Sequence, residues 1–171
     1  MESESESQPQ SSDTNEFKRN ARPLVSISKE VEFDAGHRVP AHKSKCRNPH
    51  GHRYRVRVLC EGVIQPTDAG STGGMLVDFG DLKYFLQTLA GLLDHAMIIW
   101  KGDDELLEAF RGHDWNTAVF EYVPTAENIA RWFYDELSRS VNARYVNDLR
   151  VSGVSVWETP TSCAHYRGDR G

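Results

Sequence analysis

A chain of 171 residues, 39% of them hydrophobic, is sized for one domain with a modest core. Its formal net charge of −5 argues against nucleic-acid binding by charge alone, and no apolar stretch is long enough to span a bilayer as a helix. Three cysteines, Cys46, Cys60 and Cys163, are too few and too odd for a disulfide framework; with no apolar signal region at the N-terminus, they point to a reducing, cytoplasmic setting.

Residues Met1 to about Arg22 are rich in Ser, Glu, Gln and Asn and nearly devoid of large apolar side chains. Such a segment cannot bury enough surface to offset its ordering entropy, so residues 1–22 read as a disordered tail and 23–171 as the folded domain. The first strand is expected from about Val25 to His37, where Val25, Ile27, Val31, Phe33, Ala35 and His37 all fall on odd positions. Arg38 to Pro49 is a loop carrying Cys46. A second strand runs from about His50 to Val63, with His50, His52, Tyr54, Val56, Val58 and Cys60 on one parity and Arg53, Arg55 and Arg57 on the other. A turn-rich stretch from Gln65 to Gly74 follows.

Phe79, Leu82, Leu86, Leu89 and Leu93 predict a helix over Phe79–Leu93 with Asp78 as its N-cap. Asp103 to Phe110 reads as a short helix stopped by Gly112, and Ala118 to Tyr122 as extended. A second major helix starts at Pro124-Thr125, with Thr125 as cap and Ile129, Trp132, Phe133 and Leu137 as its apolar stripe. Leu149 to Glu158 is a third strand, interrupted by Gly153, and Ala164 to Arg167 a short fourth. The order ββααββ predicts an α+β fold: an antiparallel sheet with two main helices on one face.

The chemistry concentrates in Phe33-Asp34-Ala35-Gly36-His37 and Cys46-Arg47-Asn48-Pro49-His50-Gly51-His52. His50 and His52 share a strand face, and His37 sits on the core side at the end of its own strand. Three neutral imidazoles suit Zn2+ and leave its fourth position open. A histidine pair continuing a buried face needs polar partners, and a metal supplies one for both. Cys46 is either a fourth ligand that closes the site or a thiol working beside the metal; Lys45 and Arg47 favour its thiolate in both cases. His42 and His113 read as surface residues, and His165 as a weaker ligand candidate.

Between His37 and Cys60 there is no Asp or Glu, while Arg38, Lys43, Lys45, Arg47, Arg53, Arg55 and Arg57 all fall there. That local field suits a small anionic ligand. Arg53, Arg55 and Arg57 read as a solvated strand face, and the other four lie nearer the metal. Asp94-His95 is either a capping histidine at a helix end or an aspartate-oriented proton carrier. Glu158 is either an exposed strand terminus or a bidentate acceptor for the adjacent N–H donors of a guanidine-like heterocycle.

Six segments in order resemble the 6-pyruvoyltetrahydropterin and 6-carboxytetrahydropterin synthase family. They are Phe33-Asp34-Ala35-Gly36-His37, Cys46…His50-Gly51-His52, Gly74-Met75-Leu76-Val77-Asp78-Phe79, Leu93-Asp94-His95, Pro124-Thr125-Ala126-Glu127-Asn128 and Glu158-Thr159. The resemblance implies the tunnelling fold (T-fold), in which ββααββ subunits join into trimeric barrels that stack as hexamers with active sites between subunits. It implies zinc on His37, His50 and His52, with Cys46 as catalytic base rather than ligand. It further implies that Asp94 and His95 relay protons, that Glu158 anchors the pterin and joins the relay, and that Thr125 contacts the pterin. The substrate would be a small molecule, 7,8-dihydroneopterin triphosphate, with neither nucleic acid nor membrane as partner.

Cys46 four residues before His50, and the ending Tyr166-Arg167-Gly168, look like the bacterial 6-carboxytetrahydropterin synthases of queuosine biosynthesis. The stretch Lys101 to Tyr122 is longer than in the compact bacterial pattern. The alternatives are a 6-pyruvoyltetrahydropterin synthase and, from a different class, a non-catalytic zinc module whose arginine face binds RNA.

Overall fold

Alternation builds the sheet. In the computed structural model, which describes residues 24–145 and 149–168, β1 (Leu24–His37) and β2 (His50–Val63) pair antiparallel from Leu24↔Val63 to His37↔His50. Phe33, Ala35 and His37 from β1 and Tyr54, Val56, Val58 and Cys60 from β2 are buried on one face. Tyr54 stacks on Phe33, with ring centroids 5.2 Å apart. The tail expected over 1–22 lies outside the described residues.

Two helices cover that face, as their apolar stripes require. The first, α1 (Phe79–Leu93), begins where the Asp78 carboxylate accepts the Gly80 N–H at 2.7 Å. It buries Leu82, Leu86, Leu89, Ala90 and Leu93. Phe79, expected in the stripe, is 51% exposed at the first position of the helix. A short α2 (Asp104–Phe110) follows, capped by Asp103 and ended before Gly112, whose φ of +81° is a backbone region that favours glycine. The longest helix, α3 (Ala126–Arg144), is capped by Thr125 and buries Ile129, Ala130, Phe133, Leu137 and Val141. Trp132 of its predicted stripe is only half buried and packs on Phe120 at 5.3 Å.

The sheet is larger than expected, and mixed. Besides β1 and β2 it contains β3 (Ala96–Trp100), β4 (Thr117–Phe120), β5 (Leu149–Thr159) and β6 (Ser162–Tyr166), in the order β4-β3-β1-β2-β5-β6. The antiparallel arrangement read from the sequence holds for β1, β2, β5 and β6, whereas β3 runs parallel to β1 and β4 parallel to β3. Met97-Ile98-Ile99 is a short apolar run directly after a helix, and periodicity does not separate such a run from buried helix. Gly153 does not interrupt β5. Leu59 pairs with Gly153 and Cys60 with Val151, so Ser152 is the extra residue of a bulge. A Cβ at Gly153 would stand 3.1 Å from the Tyr166 carbonyl oxygen, which explains glycine there.

Candidate metal centre and active site

The hairpin register alone brings the three histidines together. His37 lies directly opposite His50, and His52 opposite Ala35. Centroid separations are 4.6 Å for His37–His50, 5.2 Å for His37–His52 and 4.9 Å for His50–His52. Glycine is favoured between the two β2 histidines: a Cβ at Gly51 would crowd the Ala35 carbonyl oxygen at 3.0 Å.

Two of the rings are oriented by backbone carbonyls. His37 Nδ1 lies 2.6 Å from the Pro124 carbonyl oxygen, and His50 Nδ1 lies 2.8 Å from that of Asn48. A carbonyl only accepts, so both Nδ1 atoms carry the hydrogen. In the neutral rings, the Nε2 lone pairs are then left for a ligand. His37 is 2% exposed, and neither its Nε2 nor that of His52 has a hydrogen-bond partner among the described residues. Burial holds both histidines below the usual imidazole pKa, which favours the neutral, metal-binding form.

Glu158, near the end of β5, completes the cluster. Its Oε1 lies 3.1 Å from His52 Nε2, outside hydrogen-bonding geometry. One ligand atom from each of His37, His50, His52 and Glu158 falls within 4.8 Å of the others. Three converging imidazoles, two with buried, unpartnered Nε2 atoms and two with their tautomers set from behind, fit a borderline cation such as zinc. Tyr54 packs edge-on beneath His37 and His52, at 5.8 and 5.6 Å, and its buried hydroxyl also lacks a partner among the described residues.

Cys46 sits in the 3-10 turn Lys45–Arg47, outside that four-residue group. It lines a cavity of about 290 Å³ together with His37, Thr125 and Glu158. The Val39 N–H donates to the Cys46 carbonyl at 2.9 Å and ties its turn to the end of β1. Thr125 reaches the cavity through the same turn that presents the Pro124 carbonyl to His37, while its hydroxyl caps α3 by accepting the Asn128 N–H at 3.4 Å. Cys60, by contrast, lies in the core, where burial pushes its thiol up to about 12. His42 is exposed and borders the cavity with its Nδ1 turned to Ser44. His113 stacks on Trp115 at 4.1 Å. His165 sits outside the metal-ligand group and bonds Ser155 at 2.7 Å.

Asp94 and His95 do not join this cavity within one chain. His95 borders a cleft of about 780 Å³ whose wall also holds Asp34, His52, Arg53, Met97 and Trp115, and Asp94 groups with Asp34 and His95 beside it. Asp94 Oδ1 accepts the Asp34 N–H at 2.9 Å, so its carboxylate orients the strand end as well as lying near the imidazole. His95 takes a φ of +54°, uncommon for a residue with a side chain, and its N–H donates to the Asp34 carbonyl at 2.6 Å.

The basic residues divide differently from the expectation. Arg38, expected near the ligand, is turned to Asp103 and Glu105. Arg53 pairs with Asp34 at 2.9 Å, Arg57 with Glu30, and Arg55 lies 4.0 Å from Glu30. Arg55 and Arg57 also sit over the Trp157 ring, 4.2 and 4.9 Å from its centroid. The solvated strand face is thus a set of cross-strand charge pairs. Sequence reasoning missed the carbonyls of Asn48 and Pro124 and the Arg38–Asp103 pair. The carbonyls carry no side-chain signal, and Asp103 reads only as the start of a short helix.

Residues 26–169 match the family model described as 6-pyruvoyl tetrahydropterin synthase, and the chain belongs to that family. A 6-carboxy-5,6,7,8-tetrahydropterin synthase of Haemophilus influenzae is 30% identical over 84% of this chain and 99% of its own length. One from Synechocystis sp. is 34% identical over 84% of this chain and 94% of its own. Among solved structures, an uncharacterized protein from Wolinella succinogenes superimposes with a TM-score of 0.71 at 26% identity, covering 86% of this chain and 99% of that one. The 6-pyruvoyl tetrahydropterin synthase of Caenorhabditis elegans gives 0.59 at 25% identity, covering 86% and 98%. The fold is accordingly the α+β T-fold, its sheet curled and mixed.

Proposed function

We propose that this chain is a zinc-dependent 6-carboxy-5,6,7,8-tetrahydropterin synthase. It converts 7,8-dihydroneopterin triphosphate and water to 6-carboxytetrahydropterin, acetaldehyde and triphosphate, the cytoplasmic chemistry of queuosine biosynthesis. The observation that carries this reading is the trio of converging imidazoles, two of them with buried, unpartnered Nε2 atoms, beside a cavity lined by His37, a free cysteine and a carboxylate. Full-length relatives named for the carboxy product support that choice of product.

His37, His50 and His52 hold the zinc, which when bound supplies Lewis-acid polarisation of the substrate's side-chain oxygens. The carboxylate of Glu158 accepts the paired N–H donors of the pterin ring, bidentate and charge-assisted. Thr125, on the same wall, fixes the ring's position. Cys46 removes an activated side-chain proton as general base. Lys43, Lys45 and Arg47, on the loop that carries Cys46, favour the triphosphate. Neither Asp94 nor His95 lines the Cys46 cavity of its own chain, so in this reading they return protons to the site of a neighbouring subunit in a trimer or hexamer.

The deciding assay incubates zinc-loaded protein with 7,8-dihydroneopterin triphosphate and identifies the products by mass. Acetaldehyde with 6-carboxytetrahydropterin is the expected result. Accumulation of 6-pyruvoyltetrahydropterin would reassign the chain to the pyruvoyl reaction, which the family's own description names. The pairing of Arg53, Arg55 and Arg57 with acidic side chains weighs against an RNA-binding face.

A further inference from the structure

The ion pair between Arg38 and Asp103 takes no part in the reaction as proposed, yet it is the most deeply buried charge pair among the described residues. The two side chains are 11% and 3% exposed. Arg38 Nε donates to Asp103 Oδ2 at 2.6 Å, and Nη2 donates both to Asp103 Oδ1 and to Glu105 Oε2, the latter at 2.9 Å. This is the fork geometry that a guanidinium makes and an ammonium does not. Asp103 Oδ1 also accepts the Leu106 N–H at 3.2 Å, so the same carboxylate caps α2. Buried charges are costly unless fully paired, and nothing in holding a seven-residue surface helix requires two of them.

The position of Arg38 supplies the reason. It stands between His37, whose ring is fixed by the Pro124 carbonyl, and Val39, whose N–H holds the Cys46 carbonyl at 2.9 Å. Val39 also accepts the His42 N–H at 3.0 Å, which closes the turn that leads to Cys46. The long segment Lys101 to Tyr122 therefore reaches back, through Asp103, to the stretch of backbone from which the cysteine turn hangs. We propose that Asp103 and Arg38 are positioning residues for Cys46: their forked pair fixes the backbone at 38–39 and so sets the thiol against the substrate cavity. The inference rests on the reading of Cys46 as general base given above. The Arg38 guanidinium holds the Asp103 carboxyl below its usual pKa, as a persistent charged pair would.

The test uses the full chain loaded with zinc and three variants. Asp103→Asn keeps a capping side chain, Arg38→Lys keeps the charge without the fork, and Arg38→Met/Asp103→Asn leaves no buried charge unpaired. Each is expected to retain zinc and KM while kcat falls roughly 10- to 100-fold, the scale of a small misplacement of a reacting group. The rate at which iodoacetamide modifies Cys46, followed by peptide mass, is expected to change in all three. A purely structural staple predicts otherwise: the single variants lose thermal stability, the double variant recovers both stability and kcat, and Cys46 modification stays at the parent rate. That pattern, or an unchanged kcat in folded single variants, would overturn the proposal. Modification is read without substrate, so a failure of the proposed reaction is distinguishable from a failure of the clamp.

Discussion

One strand, β2, presents two opposite solutions to the problem of polar side chains in a sheet. On its helix-covered side, His50 and His52 join His37 and Glu158 in a cluster where nitrogen atoms are buried without partners. On its other side, Arg53, Arg55 and Arg57 are met by Asp34 and Glu30 across the strand pair. Satisfied charges on a half-exposed face contribute little beyond solubility and register. Unsatisfied nitrogens on a buried face lower stability unless something binds them. The difference separates the part of β2 that serves the fold from the part that can bind a ligand, and His37, Glu158, Thr125 and Cys46 gather around the second part, whereas Asp94 and His95 do not.

The sharpest way to break this comparison is to remove a ligand. His50→Ala is expected to abolish stoichiometric zinc retention and turnover together, measured by metal analysis of the purified protein. Retention of zinc would return the cluster to a merely buried polar group. Next in size, Cys46→Ala should keep its zinc and lose roughly 10²- to 10⁴-fold in turnover, the range for a positioned acid–base group. Loss of metal in that variant would make the cysteine a ligand. Glu158→Gln distinguishes anchor from ligand, with zinc kept and KM for the pterin raised; zinc loss would place the carboxylate on the metal.

A smaller effect concerns pH. Burial depresses the His37 pKa, so the folded, metal-free protein resists a proton that the unfolded chain accepts. Its contribution is fully present above the ordinary imidazole pKa of about 6.5 and is lost as pH falls towards the depressed value. Denaturant titrations of metal-free protein should therefore show stability falling below about pH 6.5, by at most about 1.4 kcal/mol per pH unit for each proton taken up. Replacing His37 by Gln should flatten that slope. The smallest effect belongs to the paired face: Arg57→Ala should cost less than about 1 kcal/mol and leave zinc content unchanged. A loss of zinc there would mean that the two faces are coupled.

Much of this was legible in the chain. The strand bounds of β1 and β2, the caps Asp78 and Thr125, and the shared parity of His50 and His52 with the buried valines all follow from local periodicity and from side chains that bond their own backbone. The extended stretch read over Ala118 to Tyr122 is there as β4, Thr117–Phe120, whereas β3 was not legible. Met97-Ile98-Ile99 is too short for a period to declare itself, and the parallel pairing of both strands depends on where α1 returns the chain.

By itself, then, the sequence determined which side chains could bind a metal and which face of each strand they occupy, because alternation is a property of neighbouring residues. Tertiary structure decided the rest. It brought the Pro124 carbonyl behind His37, opposed Arg53 with Asp34, left Asp94 and His95 outside the Cys46 cavity and joined Arg38 to Asp103. Each of these links residues far apart in the chain. Their meeting depends on strand order and helix placement, which no local pattern encodes.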